Sequence, residues 1–505
     1  GIRANASTGL TLNAGGAGGS LTTQGARALE VSGAVATLTL DDVTVTGSAT
    51  GAINMTGAGG SNVAVGVLSA TTTGGSAVSL NGLRTFGVSG ATSCIAATAG
   101  PAFVAANSVL AVTLRSAASS ASATTGVSLT ATTGTFTVTG TGTTTDSGGV
   151  IASPGGVGVA LTAAAGVSLA NMTVDADADT GVTITGASTV SLDNLEVTQT
   201  GSDETGIAVV DLAGTLAIDG ATIAGTGLER GMFVSAATAS PSATLTFNDL
   251  DIETEIMPMG APIHQALVVS ASGAESMDVV LTGASLITHG APNSAALQVS
   301  ATGASAVQVD TLGSTLSSTS RGLWALADGT STTRVLVDTT AISAVRAAAF
   351  LDVLAPGAAL SYDMSGGSLV IANGGPNRGV FDLLAEEGQA DILLDAVTVT
   401  AENATGILAV AAGDSDVRMS VVSSPVTLTS LTASFVGIEV ATSTGSTATM
   451  SAALDGNTVT GGGADVGIRA RALAAGSTTC VNAEDNASAG VTSGSGLGSG
   501  TTRPR

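Results

Sequence analysis

The chain has 505 residues, 44% of them hydrophobic, and it sets 38 acidic residues against 14 arginines and no lysine, for a formal charge of −24. A surface so poor in cations argues against nucleic acid and anionic membranes as partners. No stretch of about eighteen apolar residues occurs, so we expect no transmembrane helix.

The interior must be built from small side chains, because the chain has only one Trp, one Tyr and eight Phe. Ala, Val, Leu and Ile suit a narrow β-sheet core, and Gly, Ser and Thr suit tight turns. A compact chain of this length would divide into several domains, whereas a solenoid lengthens without thickening its core.

A short unit repeats from about residue 9 to residue 226. Gly158, Gly181, Gly206 and Gly231 each open a run of alternating apolar and small polar residues, at steps of 23, 25 and 25 residues. A turn residue and a second alternation follow each run. A period of this size, made of period-2 strands, predicts a solenoid in which every turn is a coil of β-strands.

Asn, Asp or Gly recurs between the strands of a coil, as at Asp42, Asn171, Asn194, Asp249 and Asn457. These residue types tolerate the left-handed backbone conformation that a sharp corner requires. We therefore predict corners at these positions, with Asn side chains hydrogen-bonded from coil to coil, and assign them a structural role rather than a ligand-binding one.

The units lengthen from about residue 228 to residue 474. Opening glycines now follow one another at steps of 27, 31 and 30 residues, at Gly379, Gly406, Gly437 and Gly467, and residues 489–505 form a Gly/Ser/Thr-rich tail. We predict an all-β fold, a single continuous parallel β-helix over residues 1–488 with roughly 18–20 coils of about 27 residues, shorter up to about residue 227 and longer with loops after it.

Several segments resemble long repetitive surface proteins of bacteria, namely residues 75–83, 93–102, 126–140 and 479–486. Those proteins carry right-handed parallel β-helix repeats of the broad pectate-lyase-like type, and the similarity extends over nearly the whole chain. The resemblance implies a right-handed coil. It also implies a role among exported adhesins, autotransporter-like passengers or polysaccharide-cleaving enzymes.

The most concentrated group of titratable residues is a candidate carbohydrate site. Alternate positions of a strand share a face, so four carboxylates are expected to project together, with two histidines nearby: Asp249, Asp251, Glu253, Glu255, His264 and His289. Paired carboxylates are typical of glycosidases. The other interpretation, a solvated strand face with two surface histidines, stays open and is the one we favour.

A weaker candidate is a structural calcium site at Asp175, Asp177 and Asp179, where hard oxygen ligands alternate as at the start of a calcium-binding loop. An EF-hand needs Gly at its sixth position and Glu at its twelfth, and here these are Thr180 and Gly186. An exposed acidic turn is therefore the favoured interpretation, and no other cofactor is expected.

Three arginines precede glycines that open coils: Arg230, Arg321 and Arg378. Equivalent positions of a solenoid project from one face, so these arginines form either a docking row for a partner or local charge pairs, for example with Glu229. Phe233 and Trp324 follow in the same register, and we expect both rings to point into the core.

The two cysteines, Cys94 and Cys480, lie about 14 coils or roughly 70 Å apart along a straight solenoid. A disulfide requires Cα atoms within about 7 Å. We therefore expect two unpaired, buried residues, with an intermolecular bridge as the alternative.

Neither terminus offers a capping helix, and an open solenoid end exposes unpaired backbone groups. The chain is thus expected to be an excised piece of an exported protein or to self-associate head to tail. We expect an extracellular or cell-surface structural protein of bacteria, a stiff rod acting as filament subunit, stalk or adhesin with a carbohydrate or host-surface ligand, and not an enzyme. The alternative is a polysaccharide-binding or polysaccharide-cleaving β-helix protein.

Overall fold

The computed structural model describes residues 1–5, 10–14, 19–33, 36–57, 59–177, 179–199, 204–225, 228–238, 242–254, 264–289, 294–372, 374, 378–429, 435–461, 466–473, 476–487 and 491–493. These residues form an all-β structure without helices, a parallel β-solenoid of about 16 turns. The predicted fold class is confirmed, and the handedness of the coil stays a prediction. This number of turns is lower than the 18–20 coils expected.

Residues 1–233 and 234–505 form two compact units, here called unit 1 and unit 2. Unit 1 contains β1 Ile2–Asn5, β2 Leu10–Ala14, β3 Ser20–Gln24, β4 Leu29–Ser32, β5 Ala36–Ser48, β6 Ile53–Thr56, β7 Asn62–Thr72, β8 Val78–Asn81, β9 Thr85–Val88, β10 Cys94–Ala97, β11 Phe103–Ala106, β12 Val109–Leu114, β13 Ser116–Ser120, β14 Val127–Thr130, β15 Thr133–Val138, β16 Gly149–Ala152, β17 Val159–Thr162, β18 Ala165–Ala170, β19 Met172–Asp175, β20 Val182–Thr185, β21 Ser188–Asp193, β22 Glu196–Gln199, β23 Glu204–Val210, β24 Thr215–Asp219 and β25 Thr222–Gly225. Strand β26, Leu228–Ala236, contains the point of division.

Unit 2 contains β27 Ala243–Asn248, β28 Asp251–Thr254, β29 Gln265–Ala271, β30 Ser276–Thr282, β31 Ser285–Thr288, β32 Ala295–Ala301, β33 Ala306–Leu312, β34 Thr315–Ser318, β35 Arg321–Ala327, β36 Thr332–Asp338, β37 Ala341–Ala344, β38 Ala347–Val353, β39 Ala359–Ser365, β40 Ser368–Ile371, β41 Gly379–Ala385, β42 Gln389–Asp395, β43 Thr398–Glu402, β44 Thr405–Ala411, β45 Asp416–Val422, β46 Pro425–Thr429, β47 Val436–Thr442, β48 Thr449–Asp455, β49 Thr458–Thr460, β50 Val466–Ala472, β51 Thr478–Glu484 and β52 Val491–Ser493.

A typical coil gives one strand to a first sheet and two strands to a second sheet. In unit 1 the coil β17–β18–β19 stacks on β20–β21–β22 in parallel register, with Val159 opposite Val182 and Val174 opposite Val197. In unit 2 the first sheet contains β29, β32, β35, β38, β41, β44, β47, β50 and β52, and the paired strands of each coil lie in the second sheet. The predicted period therefore corresponds to one coil.

The glycines that open coils leave room for the next coil. A Cβ atom on Gly181 would lie 2.6 Å from Cγ1 of Val197 and 2.7 Å from the carbonyl oxygen of Gly206. Both distances are shorter than real Cβ contacts allow, and one partner is backbone that cannot rotate away. Only glycine fits this position.

The core is a column of aliphatic side chains with a few stacked rings. In β17 and β20 the alternate residues Leu161 and Ile184 are fully buried while their neighbours face outward. In unit 1 the rings of Phe103 and Phe136 pack with centroids 4.8 Å apart. Alternation of this kind places every second residue inside.

The corners adopt the left-handed conformation where short polar residues or glycine stand. Asn171, Asn194 and Asp249 have φ values of 56°, 48° and 47°, as predicted. The prediction fails at Asp42, which lies inside β5, and at Asn457, where the preceding glycine takes the left-handed position. The Nδ2 of Asn194 donates to Oδ1 of Asn171 at 2.8 Å, so the predicted hydrogen bonding from coil to coil is confirmed there.

A set of polar side chains, here called the inter-coil ladder, ties neighbouring coils of unit 2, and all of its members except Asn486 are buried. Its members are Ser314, Thr340, Ser424, Asn457 and Asn486. The N–H of Ser314 donates to Oγ1 of Thr340 at 3.3 Å, that of Ser424 to Oδ1 of Asn457 at 2.9 Å, and that of Asn457 to Oδ1 of Asn486 at 2.9 Å. Each bond satisfies a backbone donor that the corner removes from the strand pairing.

The described residues contain no helix that is long and apolar enough to cross a membrane.

Candidate functional site

The outer face of the first sheet of unit 2 carries a row of large side chains. Residues that stand opposite one another on successive strands of this row are Val268, Gln298, Trp324, Phe350, Asp382, Leu408, Glu439 and Arg469. Aromatic, acidic and basic groups thus lie one strand apart, at the spacing of about 4.8 Å between strands.

Three side chains of this face form a stacked group. The guanidinium carbon of Arg321 lies 4.6 Å from the ring centroid of Trp324 and 4.5 Å from that of Phe350. The two ring centroids are 6.4 Å apart. Nη1 of Arg321 is buried and has no hydrogen-bond partner in the described part of the chain. A guanidinium held between two aromatic rings is a cation–π arrangement that fixes all three groups.

Two carboxylates and a second arginine complete what we call the arginine–aromatic cluster: Arg321, Trp324, Phe350, Asp352, Arg378 and Asp382. The indole Nε1–H of Trp324 donates to Oδ2 of Asp352 at 3.1 Å. Nη1 of Arg378 lies 3.9 Å from Oδ2 of Asp382. Two positive and two negative groups therefore balance inside one partly desolvated patch.

Burial sets the protonation of this cluster. Burial raises the pKa of Asp382 to about 6, against the opposing effects of a backbone hydrogen bond from Gly379 and the charge of Arg378. Burial also raises the pKa of Asp352, opposed by the hydrogen bond from Trp324. Burial lowers the pKa of Arg321. A neutral carboxyl donates as well as accepts hydrogen bonds, so the hydrogen-bonding character of Asp382 changes in mildly acidic solution.

The prediction that Trp324 and Phe233 point into the core is wrong. Gly322 and Leu323 are both buried at the coil opening, so the alternation shifts by one residue and Trp324 faces outward. Phe233 is half-buried in the same way, and the guanidinium carbon of Arg230 lies 5.0 Å from its ring centroid.

Arg321 and Arg378 do not occupy equivalent positions, contrary to expectation. Trp324 and Asp382 occupy the same row of the paired strands. Trp324 follows Arg321 by three residues, whereas Asp382 follows Arg378 by four, so the two arginines are offset by one position. The predicted charge pair with Glu229 is confirmed: Nη2 of Arg230 lies 2.8 Å from its Oε1. Charge pairing and ring stacking both occur at these arginines. An Arg-Gly-x-aromatic motif occurs at all three arginines, but the ring faces outward only after Arg230 and Arg321, since Phe381 is buried.

The predicted carbohydrate residues are only partly brought together. Asp251 and Glu253 project outward from β28, after the left-handed corner at Asp249, and Nε2 of His289 lies 3.5 Å from Oε1 of Glu253. His264 is buried immediately before β29, a strand of the first sheet, whereas β28 belongs to the second sheet. Its backbone N–H donates to Oγ of Ser294. Glu255 lies outside the described residues. What remains is an exposed carboxylate–imidazole pair.

Two of the three aspartates of the predicted calcium loop accept hydrogen bonds with their side chains. Oγ of Ser153 donates to Oδ2 of Asp177 at 2.7 Å, and the N–H of Thr180 donates to Oδ1 of Asp179 at 2.7 Å. Asp175 ends β19. Within the described ranges, no group of three or more His, Cys, Asp or Glu residues is placed to hold a metal ion.

A shallow groove of about 620 Å³ lies on the outer face of the second sheet of unit 2. Asp391, Arg418 and Cys480 lie in one row across its strands, and Asp363 and Leu393 also line it. Carboxylates, a guanidinium and an apolar side chain on one open surface suit hydrogen bonding to hydroxyl groups together with apolar contact.

Both cysteines are free thiols. The prediction that they are buried is wrong, since Cys94 is half-buried and Cys480 is exposed. Their neighbours Ile95 and Thr479 occupy the inward positions, and strand alternation therefore turns both thiols outward. Nη2 of Arg115 donates to Sγ of Cys94 at 2.9 Å.

No protein-family model matches the chain, and no curated protein or solved structure matches it either. Of the resemblance to β-helix surface proteins, the parallel β-solenoid fold is confirmed.

Proposed function

We propose that the chain is an extracellular structural protein of a bacterial surface, acting as a stalk, filament subunit or adhesin. The observation that carries this proposal is the inter-coil ladder. Side chains of one coil accept hydrogen bonds from the backbone of the preceding coil, in addition to the strand pairing between coils. Buried hydrogen bonds of this kind make local opening of a single coil costly.

The composition supports the same proposal. A protein without lysine offers trypsin-like proteases only its 14 arginines as cleavage sites. Its aliphatic core and continuous backbone pairing leave little chain exposed for cleavage, because proteases act on locally opened segments. Such a scaffold suits a protein that persists outside a cell.

The arginine–aromatic cluster supports the adhesive form of this function. It holds the chain's only Trp on an outer sheet face rather than in the core. Trp324, Asp352 and Arg321 combine an apolar ring, an acceptor and donors, which is the chemistry of many carbohydrate contacts. The proposed ligand is a surface carbohydrate.

The test has two arms. Antibodies against the chain are applied to intact and to permeabilised cells of the source organism, and the purified chain is digested with trypsin and with a broad-specificity protease. We expect labelling of intact cells and cleavage restricted to a few segments. Labelling only after permeabilisation, or rapid digestion throughout the chain, would overturn the proposal.

A second candidate function is polysaccharide binding or cleavage at the groove of the second sheet in unit 2. The juxtaposition of Asp391 and Arg418 in one row favours it. A panel of acidic and neutral polysaccharides tests binding, and release of new reducing ends tests cleavage. Binding that disappears in Arg418→Gln but persists in Arg334→Gln would favour this candidate over the purely structural one.

A further inference from the structure

A separate cavity of about 360 Å³ lies over the last strands of the first sheet of unit 2. Its floor is the outer face of β44, β47 and β50, where Leu408, Glu439 and Arg469 stand opposite one another on successive strands. Two residues further along, Val410, Ala441 and Arg471 form the next row. The cavity is thus built on paired strands, which hold their side chains in place.

The cavity carries an excess of one positive charge. Glu439 is 3% exposed and pairs with the Nη2 atoms of both Arg469 and Arg471. One carboxylate neutralises one of the two guanidinium groups, so a net charge of +1 remains. In a chain whose formal charge is −24, this local excess of positive charge contrasts with the rest of the surface.

Each arginine also keeps a donor that nothing in the described part of the chain accepts. The Nε atoms of Arg469 and Arg471 are both buried, and neither has a hydrogen-bond partner there. A buried donor without an acceptor is costly. Glu439 contacts both guanidinium groups, so the two unpaired donors belong to one cluster on the wall of this cavity.

Just over half of the remaining lining residues are apolar, and Thr405, Thr442, Ser443 and Thr444 add hydroxyl groups. Leu408, Val410, Ala441, Phe435 and Leu473 line the cavity. Phe435 is buried, whereas Leu473 is 45% exposed and stands in contact with solvent. Pockets of about 300 Å³ or more with apolar walls and a few converging polar groups are typical of small-molecule sites.

We propose that this cavity binds an organic monocarboxylate with an apolar body. The carboxylate accepts hydrogen bonds from Arg469 and Arg471, since planar guanidinium groups match the geometry of carboxylates. A single negative charge cancels the excess of one positive charge, whereas a dianion would leave a net negative charge in a partly desolvated site. The apolar body covers Leu408, Val410 and Phe435.

Octanoate is the probe that tests this inference, and titration calorimetry on the full chain is the measurement. We expect saturable binding of one octanoate per chain, with octanol and inorganic phosphate each binding at least tenfold more weakly. If octanol binds as tightly as octanoate, the arginines do not contribute to binding. If phosphate binds as tightly as octanoate, the apolar walls of the cavity do not contribute. Either result, or no saturable binding of octanoate, would overturn the proposal.

Three variants locate the site. Arg471→Gln removes the excess charge and is expected to weaken octanoate binding at least tenfold, while Arg334→Gln, exposed on the outer face of the second sheet, leaves it unchanged. Leu408→Trp fills the cavity without altering any charge and is expected to abolish binding. Thermal unfolding shows which variants fold. If Arg471→Gln does not fold, octanoate binding by Leu408→Trp alone tests the location of the site. Unchanged octanoate binding by a folded Leu408→Trp protein would contradict the assignment.

Discussion

The guanidinium carbon of Arg321 lies 4.6 Å from the centre of the Trp324 ring. Replacing the arginine by methionine keeps an unbranched side chain of similar length but removes the charge. We expect Arg321→Met to lower the stability of unit 2 by about 1 kcal/mol, the value typical of a partly exposed cation–π pair. Urea unfolding followed by the emission of Trp324 measures this directly, because the chain has one Trp.

Arg334→Met is the matched control for this variant. Arg334 is exposed on the outer face of the second sheet, and its replacement should change the midpoint by less than the equivalent of about 0.5 kcal/mol. An Arg321→Met protein with the native midpoint and the native emission maximum would show that the stacking contributes nothing.

Asp382 should make stability depend on pH. Its pKa is about 6 in the folded protein, against a usual value of 3.8. Between about pH 4 and pH 6 the folded protein keeps a proton that the unfolded chain has lost. The free energy of unfolding therefore falls as the pH rises through this window, by at most about 3 kcal/mol. Above about pH 6 the contribution of Asp382 no longer changes with pH.

Asp382→Asn removes this contribution. The variant should gain stability relative to the native protein as the pH rises from about 4 to about 6, as measured by urea unfolding at each pH. Burial is the cause of the raised pKa, so the effect should persist at high salt, which screens exposed charges. A difference between the two proteins that does not change with pH would contradict the buried, protonated carboxyl.

Asn457 is the most connected member of the inter-coil ladder. Its Oδ1 accepts the N–H of Ser424 at 2.9 Å, and its Nδ2 donates to the carbonyl oxygen of Val421 at 2.8 Å. Asn457→Ala leaves both backbone groups buried without partners, and we expect a loss of about 2–4 kcal/mol. Asn482→Ala, which truncates an exposed amide, is the control. Equal urea midpoints for the two variants would argue against the ladder as a source of stability.

Gly181 should not tolerate a side chain. Gly181→Ala would bring a Cβ to 2.6 Å from Cγ1 of Val197, and we expect a loss of about 3 kcal/mol or a failure to fold. Gly59→Ala is the control, since its Cβ would lie 3.7 Å from the nearest atom, the carbonyl oxygen of Gly82. Its stability should be unchanged or rise by up to about 1 kcal/mol. Comparable melting temperatures for both variants would refute the steric requirement.

The sequence predicts the fold from local rules that recur in every coil. Strand alternation identifies the inward residues at Leu161 and Ile184, and short polar residues mark the left-handed corners at Asn171 and Asn194. It misplaces the corner at Asp42, because β5 continues through that residue. Local rules do not reveal where a strand bends rather than breaks.

By itself, the sequence determined that short strands stack as coils, because the same pattern of glycine, alternating apolar residues and turn residues recurs every 23 to 31 residues. Only the tertiary structure decided which side chains meet. Trp324 faces outward because two consecutive residues turn inward after the coil opens. Glu439 meets Arg469 and Arg471, 30 and 32 positions later, because coils of unequal length come into register only when their backbones pair.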